Sequence, residues 1–213
     1  MESRSVEHRP VSFVTVEGIE GCGKSTLVAG LSERLRGSGK EIIVTREPGG
    51  TRTSDAIRGV FLEPGLDIAP LTEAFLVNAA RAQHVLERIG PALAGGALVV
   101  CDRFVDSTLA YQGYGRGVDL GLLGRLCEVA TGGLVPDITL VLDLPVPISR
   151  RRLAVRAGLS DRMELEDEAF HERVREGFLT LARSSPRYHV IDAAKSERAV
   201  LEEALAALAE LLA

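Results

Sequence analysis

A glycine-rich segment near the start of the chain carries the strongest chemical signal. Residues 18–25 fit the pattern G-x-x-x-x-G-K-[ST], in which glycines let consecutive backbone N–H groups turn inward around a phosphate. Lys24 would supply a cation for the β- and γ-phosphates, and Ser25 a hydroxyl for Mg²⁺. The residues predicted to hold a nucleoside triphosphate are Gly18, Ile19, Glu20, Gly21, Cys22, Gly23, Lys24, Ser25 and Thr26.

The segments on either side of this loop favour a phosphate site over an ordinary glycine turn. Residues 12–16 read as a strand, and the residues after the loop carry Leu27, Leu31 and Leu35 on one face of a predicted helix. A strand, a glycine-rich loop and a helix in this order direct the positive end of the helix at the phosphates. Cys22 is interpreted as a small filler within the loop rather than a nucleophile.

Short apolar runs alternate with helical patterns along the chain. Most of these runs are rich in β-branched residues, as strands buried on both faces of a parallel sheet are. We therefore predict a doubly wound α/β fold, a parallel five-stranded sheet flanked by helices, with ligands at the carboxyl ends of the strands. The last helix should pack on the sheet through Leu201, Leu205, Leu208 and Leu212. The predicted strands are residues 12–16, 41–45, 97–101, 138–142 and 188–191.

Polar residues follow the predicted strands. Asp102 and Arg103 follow the third strand, Asp143 ends the fourth and Asp192 ends the fifth. Because the carboxyl ends of parallel strands meet at one edge, we expect these side chains near the nucleotide. Asp102 matches the metal-supporting acid of phosphate-loop proteins, and a strand-terminal turn acid is the alternative. Asp102 could organise Mg²⁺ while Arg103 holds a phosphate bidentately.

The composition limits the class of protein. With 213 residues, 46% of them hydrophobic, residues 1–213 are expected to form a single domain with a flexible tail at 1–10. A formal net charge of −5 argues against a general nucleic-acid binder. The three cysteines form no C-x-x-C pair, which fits a reducing cytosol and gives no disulfide frame or zinc site. No apolar run reaches membrane-spanning length, so we expect a cytoplasmic protein with no membrane partner.

A second dense region at residues 102–113 makes the pattern specific. The chain resembles the bacterial thymidylate kinase family, whose members transfer the γ-phosphoryl group of ATP to dTMP, and the resemblance is collinear from about residue 12 to the C-terminus. The motifs that carry it are E-G-x-[ED]-G-x-G-K-[ST] at 17–25, R-E-P-G-G-T at 46–51, T-E-A at 72–74 with Arg81 following, D-R-[YFH] at 102–104 and A-Y-Q-G at 110–113.

The resemblance implies roles for individual residues. Arg46 and Arg103 resemble ligands of the dTMP phosphate, Glu20 the residue near the sugar 3′-hydroxyl, and Tyr111 the aromatic ring that disfavours a ribose 2′-hydroxyl. The residues implied in catalysis are Lys24, Asp102, Arg103, Arg156 and Arg162. Those implied in dTMP binding are Glu20, Arg46, Pro48, Val77, Arg81, Arg103, Thr108, Tyr111 and Gln112. The metal residues implied are Ser25 and Asp102, for Mg²⁺.

The base-reading residues include one departure from the family. Arg81 resembles the arginine that hydrogen-bonds the thymine carbonyl, and Thr108 and Gln112 are candidate base contacts. Four residues before this arginine the family usually has a phenylalanine that stacks on thymine, but this chain has Val77, and Phe75 faces another direction. Stacking is worth about 1–3 kcal/mol, so binding could be weaker or base choice looser. Adequate apolar contact from valine is the interpretation that we prefer.

A cluster of arginines predicts a lid at about residues 150–165. Some family members carry an arginine inside the phosphate loop, whereas this chain has Gly21, so a lid arginine would have to neutralise transition-state charge. Arg156 and Arg162 are the candidates, with Gly158 as a flexible point. A solvated basic helix face is the alternative for most of the cluster. Its members are Arg150, Arg151, Arg152, Arg156 and Arg162.

These observations favour a kinase that converts dTMP to dTDP by direct in-line transfer from ATP. The resemblance also implies a homodimer. A kinase of the same fold for another nucleotide or nucleoside is the alternative that Val77 encourages. An ATPase switch module is a further alternative, but the second set of arginines suits a monophosphate acceptor better.

Overall fold

A five-stranded parallel sheet forms the centre of the molecule. The computed structural model describes residues 12–37, 39–156 and 160–212, with side chains to residue 209, so the expected tail at 1–10 and Gly158 lie outside the described residues. The strands are β1 Phe13–Glu17, β2 Ile42–Arg46, β3 Leu98–Asp102, β4 Ile138–Asp143 and β5 Tyr188–Asp192. Their order in the sheet is β2-β3-β1-β4-β5, and the five predicted strands are confirmed, with bounds that differ by at most one residue.

Helices cover both faces of this sheet. The α-helices of the described residues are α1 Lys24–Leu35, α2 Arg52–Leu62, α3 Pro70–His84, α4 Gly90–Ala94, α5 Val105–Thr108, α6 Leu120–Thr131, α7 Val146–Ala154, α8 Glu168–Ala182 and α9 Glu197–Leu212. Two π-helical stretches continue from them, Val85–Ile89 after α3 and Leu109–Gly115 after α5, and such stretches are frequent at functional sites.

The strands are apolar throughout because both of their faces are covered. In β3, Leu98 and Val100 belong to one hydrophobic cluster, whereas Val99 and Cys101 belong to another with Phe13. Alternate side chains of a strand point to opposite faces, so the two clusters are the cores on the two sides of the sheet. This two-sided burial confirms the doubly wound architecture.

The last helix packs as its leucine spacing predicts. In α9, Leu208 is buried and Leu201 and Leu205 pack against the main core, while the side chain of Leu212 lies outside the described residues. Gly30 of α1 lies against Leu201, since a Cβ atom at this glycine would be 3.1 Å from Leu201 Cδ2. The helix therefore helps to seat α1, the helix that follows the phosphate loop.

The strand register brings the chemical residues to one edge. Asp102 of β3 is paired with Val16 of β1 on one side and with Arg46 of β2 on the other. Because parallel strands run in the same direction, the phosphate loop, residues 46–51 and residues 102–104 leave the sheet side by side.

Candidate active site

One cavity at the carboxyl edge of the sheet contains most of the predicted site residues. Its volume is about 430 Å³. Gly18, Ile19 and Cys22 of the phosphate loop and Arg162 do not line it. The predicted residues that do line it are Glu20, Gly21, Gly23, Lys24, Ser25, Thr26, Arg46, Pro48, Val77, Arg81, Asp102, Arg103, Thr108, Tyr111, Gln112 and Arg156.

The phosphate loop requires its glycines for conformation and for space. Gly18 has a φ of 137°, and a Cβ atom there would lie 2.6 Å from the carbonyl oxygen of Leu142. Gly21 has a φ of 67°, and a Cβ atom there would lie 3.0 Å from the carbonyl oxygen of Ser149 in α7. Residues that carry a side chain rarely adopt a positive φ, so both positions favour glycine. Ser149 Oγ also donates to the carbonyl oxygen of Glu20 at 2.7 Å, which joins α7 to the loop.

Lys24 is folded over the loop that precedes it. Its Nζ donates to the carbonyl oxygens of Gly18 at 3.1 Å and Ile19 at 2.8 Å, and the side chain is buried. An ammonium group that is held by neutral carbonyl oxygens is free to turn toward a stronger, anionic partner. The position suits a cation for the phosphates of a nucleotide.

Ser25 and Asp102 form a pair of oxygen donors at the start of α1. Ser25 Oγ donates to Asp102 Oδ2 at 3.0 Å, across 77 residues of sequence. A hydroxyl and a carboxylate are ligands that Mg²⁺ prefers, and Mg²⁺ usually takes only one or two protein ligands beside phosphates and water. The pair therefore fits a nucleotide-associated metal. No cluster of three or more His, Cys, Asp or Glu suited to a metal occurs in the part of the chain that the structure describes.

Arg103 lines the cavity and joins the phosphate loop to Tyr111. Its backbone has a φ of 72°, the one positive value at a non-glycine residue within the described ranges. Nη1 donates to the Gly18 carbonyl oxygen at 3.0 Å, and Nη2 donates to Glu20 Oε1 at 2.9 Å and to the Tyr111 hydroxyl at 3.1 Å. Burial would lower the pKa of Arg103, but Tyr111 and Glu20 raise it above its ordinary value, so the side chain stays cationic.

Glu20 carries the opposing charge. Burial would raise the pKa of Glu20, but Arg103, a hydrogen bond to His171 and the charge of Lys24 together lower it well below its ordinary value. Its Oε1 also accepts a 2.5 Å hydrogen bond from the Tyr111 hydroxyl. Its Oε2 is buried, with His171 Nδ1 3.4 Å away. Glu20 itself lines the cavity, so its carboxylate lies beside the space that a nucleotide would fill.

Sequence reasoning assigned no role to Glu17, the last residue of β1. Its Oε1 accepts from the Phe104 backbone N–H at 2.7 Å, and its Oε2 accepts from the Ser107 hydroxyl at 2.6 Å. Burial, followed by the nearby Asp106, raises the pKa of Glu17 to about 7. Through Phe104 and Ser107 this carboxyl supports the turn that contains Arg103. Its position directly before the first loop glycine was the available signal.

Arg81 is buried in α3 among polar partners at the far end of the cavity. Its Nε donates to Glu47 Oε2 at 2.7 Å, Nη1 donates to Asn78 Oδ1 at 3.0 Å, and Nη2 donates to the carbonyl oxygen of Phe104 at 3.0 Å. Burial would lower the pKa of Arg81, but Glu47 raises it above its ordinary value. These contacts hold the guanidinium rigidly at the cavity wall.

The loop after β2 contributes two arginines. The bond between Glu47 and Pro48 is cis, which the sequence left open. Arg46 is largely exposed, and its Nη2 lies 3.9 Å from Asp55 Oδ1. Arg58 of α2, which sequence reasoning missed, lines the cavity and donates from Nη1 to the carbonyl oxygen of Pro48 at 3.0 Å. No signal in the sequence distinguished it from Arg52 of the same helix.

The apolar part of the cavity agrees with the expected helix geometry. Val77 is buried and lines the cavity, while Phe75 is 54% exposed on another face of α3. Phe61 of α2 also lines the cavity and is buried, which the sequence did not indicate. Apolar walls with a few oriented polar groups are typical of small-molecule sites.

The lid arginines differ from the prediction at one position. Arg156 lines the cavity, is exposed and is paired with both carboxylate oxygens of Glu164 at 2.8 Å. Arg162 does not line the cavity: it is buried, and its Nη1 donates to Glu73 Oε1 at 2.6 Å. Arg152 lies closer to the phosphate loop instead, with Nη1 3.4 Å from the carbonyl oxygen of Gly21. Arg162 departs from its expected place because the fully buried Glu73 carboxylate requires a cationic partner, and Arg162 is one of the two arginines that pair with it.

The chain is similar to known thymidylate kinases in sequence and in structure. Residues 16–204 match the family model described as thymidylate kinase. The thymidylate kinase of Geobacter sulfurreducens is 51% identical over 84% of this chain and 88% of its own, and that of Deinococcus radiodurans is 48% identical over 93% and 96%. The crystal structure of thymidylate kinase from Ehrlichia chaffeensis superposes with a TM-score of 0.74 at 35% identity, over 94% of this chain and 99% of that one. No helix among the described residues is long and apolar enough to span a membrane.

Proposed function

The chain belongs to the thymidylate kinase family, and from this premise we propose that it transfers the γ-phosphoryl group of ATP to dTMP, giving dTDP. The observation that carries the proposal is one cavity that is lined by the phosphate loop, by Arg103 and by the buried Arg81. Such a site can align a phosphate donor with a monophosphate acceptor for direct in-line transfer.

The donor end is assigned to the phosphate loop. The backbone N–H groups of residues 18–25 would cradle the triphosphate, and Lys24 would turn from its carbonyl partners to the β- and γ-phosphates. Ser25 and Asp102 would hold Mg²⁺, which supplies charge neutralisation at the phosphates when bound.

The acceptor end is assigned to charged residues around Arg103. Arg103 and Arg46 would bind the dTMP phosphate, and Arg58 is a third cation at the same wall. The Glu20 carboxylate, at the cavity wall, would accept a hydrogen bond from the sugar 3′-hydroxyl, while Tyr111, held by Glu20 and Arg103, would border the sugar. Gathering these arginines in one cleft would let an acidic chain bind two anionic nucleotides.

The base would lie between apolar walls and oriented polar groups. Val77 and Phe61 would contact its faces, and Arg81 would donate to a ring carbonyl. Thr108 and Gln112, both buried at the cavity wall, would complete the polar contacts. The fixed geometry of Arg81 favours a base with a carbonyl at that point.

The closing segment, residues 150–165, is proposed to supply the charge that the loop lacks. Gly21 contributes no side chain, and Arg152 and Arg156 line the same end of the cavity. A guanidinium near the transferred group would neutralise charge on the equatorial oxygens, and closure would exclude water. Arg162 is not assigned this role, because its buried pairing with Glu73 keeps it away from the cavity.

We also propose that the chain works as one kinase domain, in a homodimer, in the cytoplasm and without nucleic-acid partners. An exposed apolar stripe supports the dimer. It consists of Leu71 and Phe75 of α3 and Leu86 of the π-helical stretch that follows, which lie at helical spacing and are 42%, 54% and 72% exposed. A second copy of this chain could cover the stripe through a two-fold axis. Measuring the mass in solution of Phe75→Glu beside the parent tests this point, and a parent monomer would contradict it.

A panel of nucleoside monophosphates with Mg-ATP tests the proposed reaction. We expect ADP release to depend on dTMP and to be slower with AMP, GMP and dCMP, because the base pocket is built around carbonyl recognition. ADP release that is equally fast without any acceptor would instead indicate an ATPase switch. Faster turnover of another monophosphate would contradict the assignment of the base.

A further inference from the structure

The carboxylate of Glu73 is buried beside the base end of the cavity and does not line it. Its Oε1 accepts from Arg162 Nη1 at 2.6 Å, and its Oε2 accepts from Gln112 Nε2 at 2.9 Å and from Arg116 Nε at 3.3 Å. Arg116 Nη2 also lies 3.0 Å from Oε1. Burial of a charge is costly unless it is paired, and here two guanidinium groups and one amide meet the same carboxylate.

This carboxylate determines which way the Gln112 amide faces. An ionised carboxylate only accepts hydrogen bonds, so Gln112 must turn its NH₂ group toward Glu73. The amide oxygen then lies on the other side of the planar group. Among the described residues, Gln112 Oε1 accepts no hydrogen bond. It is not a buried atom that lacks a partner, so it is accessible, and Gln112 lines the cavity. The cavity therefore presents a hydrogen-bond acceptor at this point.

An acceptor at the base end selects among pyrimidines. Thymine carries a hydrogen on N3, which can donate to the Gln112 oxygen, whereas the N3 of cytosine is itself an acceptor. Two acceptors that face each other in a buried site leave both unpaired, and sites of this kind reject the mismatched analogue strongly. If the amide were reversed, the preference would reverse with it.

We propose that Glu73 is a positioning residue for base selection, which holds the Gln112 amide so that its oxygen faces the base. It acts through Gln112 and does not contact the nucleotide. The inference rests on the proposed dTMP kinase activity and extends it to a residue behind the cavity wall. Because Arg162 binds the same carboxylate, Glu73 also connects the base pocket to the end of the closing segment.

The test compares kcat/KM for dTMP and dCMP in the parent and in Glu73→Gln. A glutamine at 73 can offer either an oxygen or an NH₂ group, so the Gln112 amide loses its fixed orientation. We expect the ratio of dTMP to dCMP efficiency to fall by about tenfold or more. In a Gln112→Met background, Glu73→Gln should leave the ratio unchanged, because the group that it positions is missing.

Glu166→Gln is the matched control. Glu166 pairs with the same Arg116, at 2.5 Å, but it does not contact Gln112. The ratio of dTMP to dCMP efficiency in Glu166→Gln should therefore equal that of the parent. A merely structural role of Glu73 would lower both efficiencies in parallel and leave the ratio unchanged, which would overturn the inference. If Glu73→Gln does not fold, the Gln112→Met variant is the test. An unchanged ratio of dTMP to dCMP efficiency in that variant would show that the Gln112 oxygen does not select the base, and would overturn the inference. A parent that does not phosphorylate dTMP would contradict the proposed function itself.

Discussion

Arg103 Nη2 lies 2.9 Å from Glu20 Oε1, and the Tyr111 hydroxyl bonds to the same carboxylate oxygen. Glu20 belongs to the phosphate loop, which is the donor end, and Arg103 is a predicted ligand of the acceptor phosphate. The pair therefore joins the two proposed substrate sites by one contact, between residues 83 positions apart in sequence.

Arg103→Ala should abolish most dTMP turnover while ATP still binds. The substitution removes the largely buried cation that is proposed to bind the acceptor phosphate, and it deprives Glu20 of its guanidinium partner, so we expect kcat/KM for dTMP to fall about 100-fold or more. Calorimetric titration with dTMP and with ATP separates the two sites, and Arg125→Ala on the exposed side of α6 is the control. Unchanged affinity for dTMP would contradict the role of Arg103.

Val77→Phe should strengthen dTMP binding. Val77 lines the cavity, and an aromatic ring there could stack on the base, an interaction worth about 1–3 kcal/mol in nucleic-acid systems. We expect KM for dTMP to fall about fivefold or more, measured by steady-state kinetics beside Val129→Phe, an exposed site on α6. A higher KM would mean that Phe61 and the other walls already fill the space.

Gly21→Arg should not transfer the catalytic charge into the loop. A side chain at a φ of 67° is strained, and its Cβ atom would lie 3.0 Å from the carbonyl oxygen of Ser149. We expect a lower Tm and an activity loss of about tenfold or more. Gly37→Arg, where a Cβ atom meets no atom within 4 Å, should keep both. Full activity in the Gly21 variant would show that α7 can move aside.

Arg152→Met should lower kcat with little effect on KM for dTMP. Its guanidinium lies beside Gly21 at the donor end, where charge develops during transfer, and we expect a loss of about 100-fold or more. Arg151→Met is the control, because Arg151 is exposed and does not line the cavity. Equal losses in the two variants would point to a general effect of helix charge.

Glu17→Gln should change how stability depends on pH. Folding raises the pKa of the Glu17 carboxyl from 4.5 to about 7, so the folded state binds this proton more tightly than the unfolded chain. The group therefore favours folding most at low pH, and its contribution falls as pH rises through this interval. Relative to the parent, Glu17→Gln should gain in Tm from about pH 5 to about pH 8, whereas the exposed Glu33→Gln should not. A difference that is constant with pH would contradict the raised pKa.

Local patterns determined the fold and much of the cavity wall. Five apolar runs predicted the parallel sheet because each strand is buried on both faces. The pattern at 18–25 predicted the phosphate loop because its glycines allow the positive φ angles that the backbone adopts there. The lid was predicted as a segment, but not the partner of each arginine. Arg162 and Arg152 are both arginines of that region, and their spacing alone does not distinguish them.

The tertiary structure alone decided the contacts between distant elements. The attraction of Arg162 to Glu73, the support that Glu17 gives to Ser107, and the amide orientation of Gln112 each join residues at least 39 positions apart. Such pairs depend on which buried polar groups face each other after the helices pack. The local periodicity of a sequence predicts the buried face of a helix or strand, but not the partner that each side chain meets there. The sequence by itself determined which chemistry the chain carries, and the packing of α2, α3 and the segment at 109–115 decided which side chains are free to perform it.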